Sequence, residues 1–168
     1  SFDSCSIGGN CTNVGIGQYY ISSGTNVSNC GVAECTDAGP HEYYNSSGGT
    51  SSDSCSIGGN CTNVGIGQYY VSSGTNVSNC GVAECTNAGP HEYYNSSGGT
   101  SSDSCSIGGN CSNAGVGQYY ISSGTDSSSC VVAPCTNAFV GEYYVSSGTN
   151  NSNCEIGGSC VNALVGEY

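Results

Sequence analysis

Cysteine carries the densest chemistry in this chain, with thiols at 5, 11, 30, 35, 55, 61, 80, 85, 105, 111, 130, 135, 154 and 160. Gaps of 4–5 residues alternate with gaps of 18–19. Structural zinc sites use closely spaced cysteine pairs converging in fours, and the only imidazoles are His41 and His91, so zinc is not expected. Disulfide formation is, and two pairing schemes are open. A short-gap scheme joins Cys5 to Cys11, Cys30 to Cys35 and so on to Cys154 with Cys160, as seven small rings. A long-gap scheme joins Cys11 to Cys30, Cys35 to Cys55, Cys61 to Cys80, Cys85 to Cys105, Cys111 to Cys130 and Cys135 to Cys154, leaving Cys5 and Cys160 over. Closing the longer loop removes roughly 3 kcal/mol of unfolded-state entropy, more than a six-residue ring. It also clamps both strand ends, where a two-stranded hairpin is weakest. These two effects favour the long-gap scheme.

The next chemistry is glycan attachment. Asn-x-Ser/Thr occurs at Asn10, Asn26, Asn45, Asn60, Asn76, Asn95, Asn110 and Asn150, each an acceptor for an N-linked sugar in a secreted chain. A cysteine holds the middle position at Asn10, Asn60 and Asn110 and hinders modification there. Asn26, Asn76 and Asn150 fall on turns, where a glycan projects freely. Single carboxylates at Glu34, Glu42, Asp53, Glu84, Glu92 and Asp103 recur at repeat spacing, yet no EF-hand-like loop gathers them, so calcium binding is expected to be weak at most. Serines abound without a Ser/His/Asp order or a strand-elbow-helix context, and no enzyme activity is expected.

These residues have to be positioned by hairpins. Each long gap carries a tyrosine pair: Gln18-Tyr19-Tyr20, Glu42-Tyr43-Tyr44, Gln68-Tyr69-Tyr70, Glu92-Tyr93-Tyr94, Gln118-Tyr119-Tyr120 and Glu142-Tyr143-Tyr144. A seventh copy stands at Glu167-Tyr168. The β-prone run leads into a Ser-Ser-Gly turn, as at Gln68-Tyr69-Tyr70-Val71-Ser72-Ser73-Gly74, and the chain is expected to return through Val77 to the closing cysteine. Adjacent strand tyrosines point to opposite faces; one of each pair packs on sulfur and glycine, and the other is expected outward. The short-gap segments, such as Cys5-Ser-Ile-Gly-Gly-Asn-Cys11 and Cys80-Gly-Val-Ala-Glu-Cys85, read as tight loops.

Residues 1–50 and 51–100 differ only at Phe2/Ser52, Ile21/Val71 and Asp37/Asn87. The expected fold is a small disulfide-rich all-β array, a rod of about seven hairpin units of ~25 residues without helices, stacked as one structural solution repeated. At roughly 17 Å per strand-length step it would extend about 100 Å. Its divisions are repeat pairs at 1–50, 51–100 and a divergent 101–150, followed by a partial unit at 151–168. After Cys130 the sequence gains apolar residues, Val131-Val132-Ala133-Pro134, Phe139-Val140 and Leu164-Val165, either as a divergent repeat or as an end that meets another subunit.

Composition supports the scaffold reading. The chain has no Met, no Trp, two Phe and 28 Gly in 168 residues, so burial of aliphatic surface is not the main stabiliser. So many cysteines in an apolar-poor chain belong to an oxidising, extracellular or cell-surface setting. Lys and Arg are absent against 12 Asp and Glu, a net charge of -12, which excludes nucleic acid and anionic membrane surfaces as electrostatic partners. No apolar run approaches the ~20 residues of a membrane span and no signal peptide is present, so a mature or internal piece of a secreted protein is expected.

Cysteine, Gly-x-Tyr, a Ser/Gly/Thr turn and a closing cysteine together resemble the tandem cysteine-rich modules of ephrin-receptor-like extracellular proteins and, more distantly, of tumour necrosis factor receptors. The motif matches at Cys11, Gly17, Tyr19 and Cys30, at Cys61, Gly67, Tyr69 and Cys80, and at Cys135, Gly141, Tyr143 and Cys154. In the receptor modules the cysteine before Gly-x-Tyr pairs with the one after it, so the resemblance also implies the long-gap pairing. The second tyrosine and the Asn-rich turns look more like repetitive surface proteins of single-celled eukaryotes.

The expected role is structural: a glycosylated, disulfide-stapled subunit of an extracellular fibre, coat or appendage. Its partners would be covalent glycans and other copies of itself, joined head to tail through Cys160 of one copy and Cys5 of the next; equally, the 168 residues are a window on a longer repeat chain whose flanking sequence holds the partners of these two cysteines. The alternative is a cysteine-rich stalk or surface antigen whose outward tyrosines contact carbohydrate or a protein ligand.

Overall fold

A computed structural model describes residues 8–160. Twelve strands and no helix occur among them: β1 (Gln18–Ser22), β2 (Gly31–Glu34), β3 (Glu42–Tyr44), β4 (Ile57–Asn60), β5 (Gln68–Ser72), β6 (Gly81–Glu84), β7 (Glu92–Tyr94), β8 (Ile107–Asn110), β9 (Gln118–Ser122), β10 (Val131–Pro134), β11 (Glu142–Tyr144) and β12 (Ile156–Ser159). Each odd strand pairs with the next even strand, giving six two-stranded sheets. The fold is therefore small, disulfide-rich and all-β, with six hairpins where about seven units were expected. The seventh, opening at Cys160, lies outside the described residues, as do Cys5 and Ser1-Phe-Asp-Ser4.

The closing cysteine comes before the return strand, which corrects the expected path of the hairpin. Gln18, Tyr19 and Tyr20 face Glu34, Ala33 and Val32, with a bulge before Ser22 meets Gly31. The short-gap segments expected as loops are thus β2, β4, β6, β8, β10 and β12. The stretch expected to return is instead a self-contained turn. Asn29 Oδ1 accepts the Asn26 N–H at 3.0 Å, Asn26 Oδ1 accepts the Ser28 N–H at 2.9 Å, and Asn29 Nδ2 donates to Thr25 Oγ1 at 2.8 Å. Such local side-chain bonds compete with a strand ladder for the backbone.

Six disulfides, Cys11–Cys30, Cys35–Cys55, Cys61–Cys80, Cys85–Cys105, Cys111–Cys130 and Cys135–Cys154, each tie the approach to a first strand to a cysteine one or two residues before its partner strand. Their Cα atoms stand 6.1–6.3 Å apart. Strand starts explain the alternation of Gln and Glu. Gln18 Oε1 accepts the Gly15 N–H at 3.0 Å and Glu42 Oε2 accepts the Gly39 N–H at 2.7 Å, so either acceptor closes the turn three residues upstream.

The residues divide into two compact units, one formed by the chain up to Val64 with Tyr70–Ala83, the other by Gly65–Tyr69 with the chain from Glu84 onward. The first contains a cluster of Cys35, Tyr44 and Cys55, and another of Cys61, Tyr70 and Cys80. The second contains the cluster of Cys85, Tyr94 and Cys105. Among the described residues every buried hydrophobic one is a cysteine or a tyrosine, so cystine and aromatic rings replace the aliphatic core that the composition denies. Among the described residues no helix is long and apolar enough to cross a membrane.

Candidate functional site

The junction between successive hairpins is where the repeated side chains meet, and both tyrosines of each pair serve it. The second tyrosine of each pair fixes its hydroxyl to the backbone, and Tyr44, Tyr70 and Tyr94 pack on their own hairpins' disulfides. Tyr20, Tyr70 and Tyr120 donate to the carbonyls of Cys11, Cys61 and Cys111 at 2.7, 2.6 and 2.9 Å. In the alternate hairpins, Tyr44, Tyr94 and Tyr144 accept the N–H of Ala38, Ala88 and Ala138 at 2.9, 2.9 and 3.0 Å. A hydroxyl so held lets a large ring be buried without an orphaned polar atom. Burial, first, and then the nearby Asp37 charge push the Tyr44 phenol above the ordinary tyrosine range.

The first tyrosine is not outward, as expected, but half-buried against the next hairpin. Tyr19 packs on the Cys35–Tyr44–Cys55 cluster, Tyr43 on Cys61–Tyr70–Cys80 and Tyr69 on Cys85–Tyr94–Cys105. Tyr93 and Tyr119 are likewise half-buried, and only Tyr143, at 47 %, is exposed. The reason is the backbone beneath the ring: Tyr43 forms a parallel bridge with Gly74, Tyr93 with Gly124 and Tyr119 with Gly148. Gly74 N–H donates to the Glu42 carbonyl at 3.1 Å and Tyr44 N–H donates to the Gly74 carbonyl at 2.9 Å. Gly48 and Gly98 donate to Gln18 and Gln68 in the same way, both at 2.8 Å. The turn glycines of the second to sixth hairpins, Gly48, Gly74, Gly98, Gly124 and Gly148, therefore serve as an extra strand edge for the hairpin before.

One set of residues went unread in the sequence. Asn13, Asn63, Asn87, Asn113 and Asn137 each donate Nδ2 to the carbonyl of the closing cysteine, Cys30, Cys80, Cys105, Cys130 or Cys154, at 2.7–2.8 Å. The signal was present, since every opening cysteine from Cys11 to Cys135 is followed two residues later by Asn, or by Asp at Asp37.

All eight sequon asparagines are exposed. Asn26, Asn76 and Asn150 share one turn, in which Oδ1 accepts the N–H of Ser28, Ser78 or Ser152 at 2.9 Å. Asn60 and Asn110 end strands β4 and β8, opposite Glu42 and Glu92, with Asn10 in the matching sequence position of the first repeat. Asn45 and Asn95 follow β3 and β7 directly and donate their N–H groups to Ser56 and Ser106.

The calcium candidates are not brought together. Gln18 and Gln68 side chains hold Glu34 and Glu84 at 2.8 and 2.9 Å, turn amides hold Glu42 and Glu92 at 2.7 Å, and the Ser51 and Ser101 hydroxyls hold Asp53 and Asp103. Among the described residues no group of three His, Cys, Asp or Glu is placed to hold a metal ion. His41 and His91 instead lend their carbonyls to the N–H of Cys61 and Cys111 at 2.7 Å.

Of the two cysteines left over, Cys160 is exposed and has no disulfide partner among the described residues. The apolar residues gained late in the chain include Phe139 and Val140, 79 % and 106 % exposed. No family model, curated protein or solved structure matches the chain.

Proposed function

We propose that the chain is a structural subunit of an extracellular, glycosylated fibre or cell-surface coat that assembles head to tail. Repeated disulfide-stapled hairpins make it a cysteine-rich structural or surface module, and six disulfides fit a secreted protein. The observation that carries the finer reading is the junction: Tyr43 gives its ring to the next hairpin while Gly74 gives its backbone edge in return. Donor and acceptor faces differ, so the contact is heterologous, and such contacts propagate as filaments where the rotation between copies does not close a ring.

Between copies, Cys160 of one and Cys5 of the next would add a covalent link, two thiols losing two electrons and two protons to the disulfide-forming oxidants of the secretory route. Glycans on the exposed turns would coat the fibre. A ligand-binding stalk with outward tyrosines has only Tyr143 to offer among the six pairs, and is the weaker reading.

Electron microscopy of native and recombinant material tests this. Filaments of constant axial repeat are expected. A chain that stays monomeric at high concentration under oxidising conditions refutes the assembly.

A further inference from the structure

We propose that the groove where the turn of the fifth hairpin meets Glu84 and Tyr94 binds a primary alkylammonium, carried by a lysine of another protein or by a free polyamine. The groove has a volume of about 400 Å³, and Ser122, Ser123, Thr125 and Ser129 complete its wall.

Two exchanges in one turn shape it. Fifty residues earlier Glu34, Tyr44, Ser72, Ser73 and Thr75 repeat the same set, but position 79 is Asn where position 129 is Ser. Asn79 Oδ1 accepts the Thr75 and Asn76 N–H groups at 2.8 and 2.9 Å, and its Nδ2 donates to Thr75 Oγ1 at 2.9 Å. Asn29 and Asn153 make the same amide-to-threonine bond at 2.8 and 2.6 Å. Ser129 keeps only the backbone half of this arrangement, its Oγ accepting the Thr125 and Asp126 N–H groups at 2.9 and 3.0 Å. No amide reaches Thr125 Oγ1, so that hydroxyl is free to meet a ligand in the groove it lines. The second exchange is Asp126, which stands where the matching turns carry Asn26, Asn76 and Asn150. It adds a negative charge next to Thr125 and removes the acceptor for an N-linked sugar, so no such glycan on this turn covers the groove.

The groove calls for a ligand rich in donors. Gly67, Cys85 and Gly124 spend their N–H groups on the carbonyls of Ser96, Gly67 and Glu92 at 3.1, 2.7 and 3.3 Å, and the chain has no Lys or Arg to supply a fixed positive charge. One Glu84 carboxylate oxygen accepts from Gln68 Nε2 at 2.9 Å, which leaves the other as the strongest acceptor. A guanidinium matches both oxygens of a carboxylate at once, whereas a tetrahedral ammonium takes one and turns its remaining N–H bonds to hydroxyls. One oxygen of Glu84 with the hydroxyls of Ser123 and Thr125 fits the ammonium. Buried Tyr94 and disulfide-bonded Cys85 also line the groove, and the methylene stem of the ligand lies against them. A net charge of -12 draws cations to the chain and repels anions.

The test titrates N-acetyl-lysine methylamide into the full, disulfide-bonded chain at low salt and follows the backbone amides by NMR. Saturable shifts centred on Glu84, Thr125 and Ser129 are expected. Glu84→Gln should weaken binding roughly tenfold or more, as the loss of a charged hydrogen-bond partner implies. Ser129→Asn, which restores the residue of the matching turns, should abolish the response and leave circular dichroism unchanged. The reverse exchange, Asn76→Asp with Asn79→Ser, should install a second site whose shifts centre on Glu34 and Thr75.

Undiminished binding to Ser129→Asn overturns the groove as the site, as does a response spread evenly over all the carboxylates. N-acetyl-arginine methylamide binding as tightly as the lysine probe overturns the ammonium. Spermidine and a lysine-containing peptide, each run against wild type and Ser129→Asn, distinguish the sources: the occupant is the one that loses more affinity in the variant, and if neither loses any the proposal fails.

Discussion

The Tyr43 ring lies across the Cα of Gly58, so close that a side chain on residue 58 has nowhere to go: its Cβ would meet Tyr43 Cζ at 2.7 Å and Asn45 Cβ at 3.0 Å. Glycine in β4 is thus a packing requirement as well as a conformational one. Gly58→Ala is expected to destabilise the chain by about 1–3 kcal/mol through overpacking. Gly49→Ala, where an added Cβ meets nothing within 4 Å, is expected to be neutral. Denaturant melts of the two variants decide it, and equal midpoints would contradict the account.

The same contact shows what the sequence could and could not disclose. Cysteine spacing and the Gln/Glu-Tyr-Tyr runs are enough to read a disulfide-rich hairpin repeat without helices, because nothing else in so apolar-poor a chain can hold a core. The return strands were not readable. Ile57-Gly58-Gly59-Asn60 has no alternation and two glycines, which locally signal a turn, and only the Tyr43 ring from across the hairpin makes that segment a strand. The half-buried first tyrosines were missed for a related reason, since period-two alternation says which face a ring takes but not that another hairpin covers that face.

Stability should depend on sulfur more than on temperature. Each cystine closes a loop of 19 or 20 residues, worth roughly 3 kcal/mol against the unfolded chain, while among the described residues the buried hydrophobic ones are cysteines and tyrosines alone. Circular dichroism and proteinase resistance are expected to survive heating far better than complete reduction. A chain still ordered after verified reduction contradicts the scaffold argument.

Tyr44 gives the fold an alkaline limit. Its phenol is raised by burial and, further, by Asp37, so the folded state holds the proton more tightly than the unfolded one. The associated stability is full below the unfolded value of about 10 and is lost as pH rises through the folded value. Carbon NMR of the tyrosine Cζ atoms should find Tyr44 titrating above the ordinary range, and Asp37→Asn should bring it part of the way down. An unchanged or higher value in the variant would remove Asp37 as a cause.

Assembly should respond to salt in the opposite sense to most charged interfaces. With a net charge of -12 and no Lys or Arg, copies repel one another, and no ion pair with Lys or Arg is available to be screened. Raising ionic strength to 0.15 M shortens the screening length to about 8 Å, which weakens the repulsion and leaves ring packing and strand pairing intact. Light scattering is expected to show self-association increasing with sodium chloride. A decrease would mean that attractive electrostatics, not tyrosine packing, joins the copies.

Glycan occupancy should follow turn geometry rather than the sequon motif alone. At Asn26, Asn76 and Asn150 the amide oxygen is held by the serine N–H two residues on, which leaves Nδ2 turned away on an exposed turn. At Asn60 and Asn110 the asparagine ends a strand, and the middle residue of the sequon is a cysteine bonded to Cys80 or Cys130, so sugar transfer competes with closing the hairpin. The third repeat pair contains its own control. Asp126 builds the same turn, accepting the Ser128 N–H at 2.8 Å, but has no amide to modify. Peptides for mass spectrometry need an acid- or aromatic-specific protease, because trypsin has no cleavage site in a chain without Lys or Arg. Glycan mass is expected on Asn26, Asn76 and Asn150, with Asn60 and Asn110 largely bare. Unmodified asparagine at all three turns would remove the glycan coat from the proposed fibre, and equal occupancy at Asn60 would show that the turn does not select the site.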